Sequence, residues 1–256
     1  MPQPLVSLIM PTRSRPELAA VALRCAIDQD YNFIPGSMEV IIFDDDDQPS
    51  FSDPPTGKYK RDQPPIRYFR NPRSLFASLG AKRNAMCEEA RGEIIAHVDS
   101  DDLSAPNRIA TQVRILTQYD SDISGFHTLP FYDIATGLAY VYHLNAACVC
   151  GTSLAYRRKF WFTHPFPSAD IGEDLPYTSG NREHRISSDG RQLLVALLHD
   201  GNMSSRSQVH NHPAIFPQIS AQLLPAWFHG NVAKISKEEY HASVNHRQSG
   251  SIGHSA

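Results

Sequence analysis

Glu93-Ile94-Ile95-Ala96-His97-Val98-Asp99-Ser100-Asp101-Asp102 is the run on which the reading of this chain turns. Ile94, Ile95, Ala96 and Val98 mark a short strand buried on both faces, as in a parallel sheet covered on either side. The three carboxylates that follow therefore stand where a strand leaves its sheet, the edge at which open α/β sheets bind ligands. If the strand geometry persists, Asp99 and Asp101 point the same way and share one hard cation, or one cation and a sugar hydroxyl. A plainer reading is a solvated acidic turn before a helix, with Ser104 as cap and Pro106 in the first turn. The stretch alone favours the plainer reading, and the flanking sequence overturns it.

Upstream, Leu5 to Met10 is an apolar run broken only by Ser7 and stopped by Pro11, the pattern of a first buried strand. Thr12-Arg13-Ser14-Arg15 then makes a polar loop, and Pro16 opens a helix with an apolar stripe of Leu18, Val21, Ala22 and Cys25. Glu39 to Phe43 is the second strand of this βαβ unit, and it runs into Asp44-Asp45-Asp46-Asp47. Adjacent acids repel, so they need a cation, a basic neighbour or full solvation. The run lacks the glycine and terminal glutamate of an EF-hand loop, so calcium is set aside. Residues Gln48 to Pro65 are proline-rich and read as a long surface loop, with a third strand at Ile66 to Phe69. Ser78 to Ala90 reads as an amphipathic helix with Lys82, Arg83 and Asn84 near its start. Those two cations suit a diphosphate or an acidic loop, although taken in isolation the pair reads rather as ordinary surface lysine and arginine.

Downstream, Ile109, Val113 and Leu116 set a helix over roughly Pro106 to Gln118. Asp122 to Leu129 and Ala139 to His143 read as an antiparallel hairpin, Gly151 to Tyr156 as a strand, and Arg157 to His164 as a short helix whose Phe160, Trp161 and Phe162 face the core. In Ile171-Gly172-Glu173-Asp174-Leu175, the glycine permits a tight turn, and the two acids either open a helix or supply a general base. Leu193 to Leu198 is the last clear strand and ends in His199-Asp200-Gly201-Asn202. Beyond residue 202 polar residues dominate, so 203–256 reads as a tail, docked or partly disordered, behind a domain spanning 1–202.

A chain of 256 residues with a formal charge of −3 can bury a full core and has no call for nucleic acid or a phospholipid surface as partner. No apolar run approaches the roughly 18 residues that span a bilayer, and no signal sequence is visible, so the expected location is the cytoplasm. Cys25, Cys87, Cys148 and Cys150 are too few and too irregular for a disulfide scaffold; Cys25 and Cys87 read as core.

Taken in order, Ser7-Leu-Ile-Met-Pro-Thr-Arg13, Val40-Ile-Ile-Phe-Asp-Asp45, Leu79-Gly-Ala-Lys-Arg-Asn84, Asp99-Ser-Asp-Asp102 and Gly172-Glu-Asp174 resemble the motifs of family-2 glycosyltransferases with the GT-A fold. The resemblance covers about residues 5 to 202. It implies an α/β, Rossmann-like, mostly parallel central sheet flanked by helices with a small antiparallel edge hairpin. It also implies metal-dependent, inverting transfer from a nucleotide-diphosphate sugar, with UDP favoured, to a saccharide or other acceptor hydroxyl. By the same resemblance Pro11, Thr12 and Arg13 line the nucleotide pocket, Asp45 accepts from the base, and Arg83 faces the nucleotide. Asp99 and Asp101 hold the ribose and a Mn²⁺ or Mg²⁺ ion, Asp174 is the base, and Glu173 is its fallback. His199 is either a third metal contact or a solvated turn residue. His210 and His212 read as tail residues. The chain departs from the family at Asp46-Asp47, where many members carry glycine and serine, and in the loop from Gln48 to Pro65.

Two other classes predict different sequences. A nucleotide-sugar binding module without turnover predicts a broken carboxylate set, yet Asp99, Asp101 and Asp174 are present. A sugar nucleotidyltransferase predicts a glycine-rich phosphate loop after the first strand, and Pro11-Thr-Arg-Ser-Arg15 contains no glycine. No Gly-x-Ser-x-Gly elbow marks a hydrolase.

Overall fold

The computed structural model describes residues 3–33, 36–51, 63–72, 75–202 and 206–235. The first half is a βαβ succession of β1 (Val6–Thr12), α1 (Pro16–Ile27), β2 (Met38–Asp44), β3 (Ile66–Arg70), α2 (Leu79–Glu89) and β4 (Ile94–His97). Then follow β5 (Asp102–Ser104), α3 (Arg108–Gln118), β6 (Ile123–Asp133), β7 (Ala139–His143), β8 (Ala155–Arg157), α4 (Arg158–Thr163) and α5 (Leu175–Thr178). The last elements are β9 (Arg185–Asp189), β10 (Leu194–Leu198), α6 (Arg206–Asn211), β11 (Gln218–Ile219) and α7 (Ala226–Val232).

All strands join one sheet of order β11-β7-β6-β8-β4-β1-β2-β3, with β9 and β10 pairing on β6 and β5 on β10. β3, β2, β1 and β4 are mutually parallel, and β8 joins β4 antiparallel. β1 pairs on one side with β2 and on the other with β4, so the chain reverses its direction of travel across the sheet beside β1. That reversal opens a crevice at the strands' C-terminal ends.

Both faces are covered because the strand residues alternate between two apolar layers. On one side Leu8, Met10, Val40, Ile42 and Ala96 pack under Ala22 of α1 and Val113 of α3. On the other, Ile9, Ile41 and Ile95 meet Met86 and Cys87 of α2 and the aromatic group of Tyr156, Phe160, Trp161, Phe166 and Tyr177. Phe162 departs from the expected aromatic core: one residue on from Trp161 it turns outward and is 69% exposed. Gly151 to Ser153 form a 3-10 turn rather than the start of a strand, because the Ser153 hydroxyl donates to Cys150 O and accepts from Phe126 N. The helix expected from Pro106 begins at Arg108, and no side chain caps it.

Most of the loop expected at Gln48 to Pro65 lies outside the described residues, as does the end of the tail. The part of the tail that is described packs on the sheet. β11 pairs antiparallel with β7, outside the β6–β7 hairpin, and Leu224, Phe228 and Ile235 share a buried cluster with Leu18 and Val21 of α1 and Val195 and Leu197 of β10. His210 stands 3.1 Å from Asp133. No described helix is long and apolar enough to cross a membrane.

Candidate active site

The crevice is built by strand ends in register. Thr12 of β1 lies opposite Asp44 of β2, Ile9 lies opposite His97 of β4, and Val98 N donates to Ile9 O at 2.9 Å. The chain then turns, with Asp102 N donating to Asp99 O at 3.2 Å, and enters β5 instead of a capped helix. Ser104 therefore belongs to a strand, and β5 runs antiparallel to β10 with Asp102 opposite Ala196. This pairing carries the end of β10 to the acidic edge and sets His199 Nε2 3.0 Å from Asp101 Oδ2.

At the β2 end the acidic run resolves residue by residue. Asp44 is fully buried and accepts from Ser50 N at 2.7 Å, Ser50 Oγ at 3.1 Å and Tyr68 OH at 2.6 Å, so it folds the loop after β2. Asp45, also buried, takes Lys82 Nζ at 2.6 Å, and Arg13 approaches its second oxygen to 3.9 Å. Lys82 donates as well to Thr12 O at 3.1 Å. Burial lowers the Lys82 pKa against the opposing pull of Asp45. Lys82 and Arg83 are each 4% exposed, so the solvated-surface reading of this pair fails. α2 presses this side into the domain: a Cβ on Gly80 would lie 1.9 Å from Pro167 O, a contact only glycine permits.

Arg83 is the hub of the β4 end. Its Nη2 lies 3.2 Å from Asp99 Oδ1, and its Nη1 lies 3.3 Å from Glu173 Oε1 and 2.9 Å from His97 Nδ1. Burial pulls the guanidinium pKa down, and Asp99, Glu173 and Asp174 outweigh it, so the net shift is upward. Burial, then Arg83, pushes the His97 pKa well below its ordinary value, so its neutral ring accepts from Arg83 at Nδ1 and turns Nε2 to Tyr156 OH at 3.3 Å. Beneath it the fully buried Arg108 donates to His97 O at 2.9 Å and Thr152 O at 3.2 Å, tying β4 to the 151–153 turn. Burial brings its pKa down to about 10, with Asp99 and Asp102 pulling the other way.

Asp174 stands at the head of α5 but makes no side-chain capping bond there, which removes the capping role from its carboxylate. Its side chain lies against Gly151: a Cβ at that position would come within 1.7 Å of Asp174 Oδ2. Burial raises the Asp174 pKa, Arg83 lowers it and Asp99 raises it, with a net rise. Glu173 is likewise raised by burial, against Arg83.

Asp99 and Asp101 face different partners. Asp99 turns to Arg83, whereas Asp101 receives Arg15 Nη1, His199 Nε2 and, at 3.4 Å, Asn202 Nδ2. Burial raises the Asp101 pKa, but Arg15 and the His199 hydrogen bond outweigh it and hold the carboxyl below its usual range. Asp102 accepts from Thr152 Oγ1 and from Leu197 N, and burial together with Asp101 and Asp99 raises its pKa well above the ordinary value. Among the described residues no group of three or more His, Cys, Asp or Glu could hold a metal by itself. A carboxylate and an imidazole on one point do fit an ion that takes its other ligands from phosphates and water.

Sequence reasoning gave Lys82 no certain role and none to Arg15, His97, Arg108 or Gly151. Only His97 carried a signal, as a polar residue within an otherwise apolar strand.

The two-faced α/β sheet with carboxylates and buried cations at its switch point has the GT-A architecture, and solved structures share this fold. S. aureus TarS (residues 1-349) in complex with UDP-GlcNAc matches with a TM-score of 0.57 and 18% identity, over 77% of this chain and 60% of that one. The mannosyltransferase PcManGT from Pyrobaculum calidifontis, solved with GDP-Man and Mn²⁺, matches with a TM-score of 0.53 and 15% identity, over 84% of this chain and 62% of that one. The chain belongs to glycosyl transferase family 2, whose model matches residues 7–168. It is 34% identical over 107 residues to WcaA of Escherichia coli (strain K12), a glycosyl transferase named for colanic acid biosynthesis, covering 42% of this chain and 36% of WcaA. It is 30% identical over 116 residues to the uncharacterized glycosyltransferase MJ1057 of Methanocaldococcus jannaschii, covering 45% of this chain and 38% of MJ1057. These matches span little more than a third of either relative.

Proposed function

We propose that this glycosyltransferase moves a sugar from a uridine-diphosphate donor to an acceptor hydroxyl with inversion at the anomeric carbon, assisted by Mn²⁺ or Mg²⁺. The observation that carries the reading is the Arg83 hub. By binding Glu173 and Asp99 it engages the alternative base and leaves Asp174, beside Gly151, as the carboxylate without such a partner in the hub. In the proposed reaction Asp174 takes the acceptor proton, the acceptor oxygen bonds to the anomeric carbon, and the bond to the diphosphate breaks on the opposite face. Asp101 and His199 would hold the divalent ion, which supplies positive charge for the departing diphosphate. Pro11, Thr12 and Arg13 would line the nucleotide pocket, and Asp99 would hold the ribose. Arg83 would act on the nucleotide side through Asp99.

Asp45 would read the base. Lys82 engages Oδ1, and Oδ2, which Arg13 approaches only to 3.9 Å, would accept a single N–H such as the imide of uracil. Asp45→Asn, which keeps the shape but offers an amide there, should weaken UDP binding by roughly 1–3 kcal/mol, the scale of a hydrogen bond to a charged group. Alanine is the poorer probe because it also strands the buried Lys82 ammonium. Calorimetry with UDP tests this, and unchanged affinity would remove Asp45 from the base contact.

Chelation gives a second expectation. Without a divalent ion the acidic edge repels phosphate, so UDP should bind far more weakly in EDTA than in Mn²⁺. Equal affinity under both conditions would count against the ion site. A panel of nucleotide sugars, read by metal-dependent hydrolysis and thermal stabilisation, identifies the donor. The four free thiols suit the reducing cytoplasm proposed as its location.

A further inference from the structure

Arg15 is a residue that the proposed reaction does not use. It closes the loop between β1 and α1, where Ser14 holds a left-handed φ of 58°, a conformation that a non-glycine residue adopts at a cost. The twist separates the two arginines of the loop: Arg13 is half exposed beside Asp45, while Arg15 turns inward. Its Nη1 donates to Asp101 Oδ2 and its Nη2 to Gly201 O at 3.1 Å, so it also joins this loop to the one after β10.

Asp101 Oδ2 is the same oxygen that faces His199 Nε2, and Asn202 approaches it too. His199 Nδ1 accepts from Gly201 N at 3.1 Å, which leaves the Nε2 proton directed at Asp101. A divalent ion on Asp101 and His199 would have to enter where Arg15 now meets the carboxylate, with the imidazole proton moved from Nε2 to Nδ1 and the bond from Gly201 N given up. A guanidinium and a doubly charged ion on one oxygen repel strongly, so they exclude each other.

We propose that Arg15 is a resident counter-ion: it holds Asp101 while the nucleotide is absent and gives way to the divalent ion when a diphosphate arrives, so that ion and nucleotide bind together rather than separately. The inference rests on the reading of Asp101 and His199 as the ion site. Free ion binds weakly because it must displace Arg15 and leave a partly buried cation without an anion. A nucleoside diphosphate removes that penalty by offering the displaced guanidinium its own oxygens, which Arg grips in bidentate fashion. The coupling is reciprocal, so the ion must raise diphosphate affinity by the same factor.

Mn²⁺ titration followed by electron paramagnetic resonance, with and without saturating UDP, tests this without any turnover. Saturating UDP should tighten Mn²⁺ binding to the wild type by at least about ten-fold. In the absence of UDP, Arg15→Gln should bind Mn²⁺ at least about ten-fold more tightly than the wild type, and the UDP effect should shrink accordingly. Arg15→Lys, which keeps the charge, should stay near the wild type. If Arg15→Gln fails to fold, the wild-type UDP effect and the Lys variant still decide: no tightening by UDP, or Lys binding free Mn²⁺ as a neutralised site would, overturns the proposal. Wild type and Arg15→Gln with equal affinity for free Mn²⁺, alongside normal binding in UDP, would overturn the role of Arg15 alone. No Mn²⁺ binding to the wild type even with UDP would bring down the ion site itself.

Discussion

Asp174→Asn should lower the transfer rate by around 10²–10⁴-fold, the usual contribution of a positioned proton acceptor, while the melting temperature and donor affinity stay near wild type. The amide preserves the shape that fits beside Gly151, and no capping bond is lost because the side chain makes none. The pH profile gives an independent check. The base works only when deprotonated, and the Asp174 pKa is raised, chiefly by burial. The acid limb of the wild-type rate should therefore fall at a higher pH than an ordinary aspartate would give, and the variant should lose that limb. Near-normal transfer by Asp174→Asn at saturating donor would remove Asp174 from the mechanism and return the role to Glu173.

Arg83→Met should have the largest effect on stability, a loss of about 3–5 kcal/mol, the cost of breaking a buried charge pair from one side. Arg83 and Glu173 are 5% and 7% exposed and Asp99 is 24% exposed, so water screens this network little. The deficit should depend on pH. Burial already raises the Glu173 pKa against the pull of Arg83, so without Arg83 it rises further and the folded state holds that proton more tightly. Stability of the variant relative to wild type therefore recovers as pH falls toward the carboxylate range and is worst at neutral pH. Urea melts of both proteins at pH 7 and pH 5 measure this, and a deficit below about 1 kcal/mol at pH 7 would mean that Arg83 is not the hub.

The sheet was legible because its strands are short apolar runs punctuated by proline and acids, a pattern set by local burial. Ile94 to His97 and Leu194 to Leu198 could be placed from the apolar run alone. The acids could be placed as well, since a carboxylate following a buried strand has only the strand's edge to occupy. Their counter-ions could not. Lys82 meets Asp45 across 37 positions and Arg15 meets Asp101 across 86, and which cation meets which acid depends on strand register and helix rotation that no local pattern encodes. β5 escaped notice because three residues make a strand only when β10 offers them an edge. The described part of the tail is seated by apolar residues scattered through a polar sequence: Leu224, Phe228 and Ile235 are buried with Ile219, Trp227 and Val232 around them, and Val209 enters a second cluster.

Gly151 has a bearing on how relatives of this chain are judged. Active enzymes are commonly told from retired ones by checking that the acids survive. Here the room for the Asp174 carboxylate is made by a missing methyl group on a different loop, 23 positions earlier in the chain. An alanine there would push the carboxylate aside and leave every charged residue in place. With Asp174 as the proposed base, such a descendant would fall silent with its whole acidic signature intact, and the position to inspect would be one that carries no chemistry of its own.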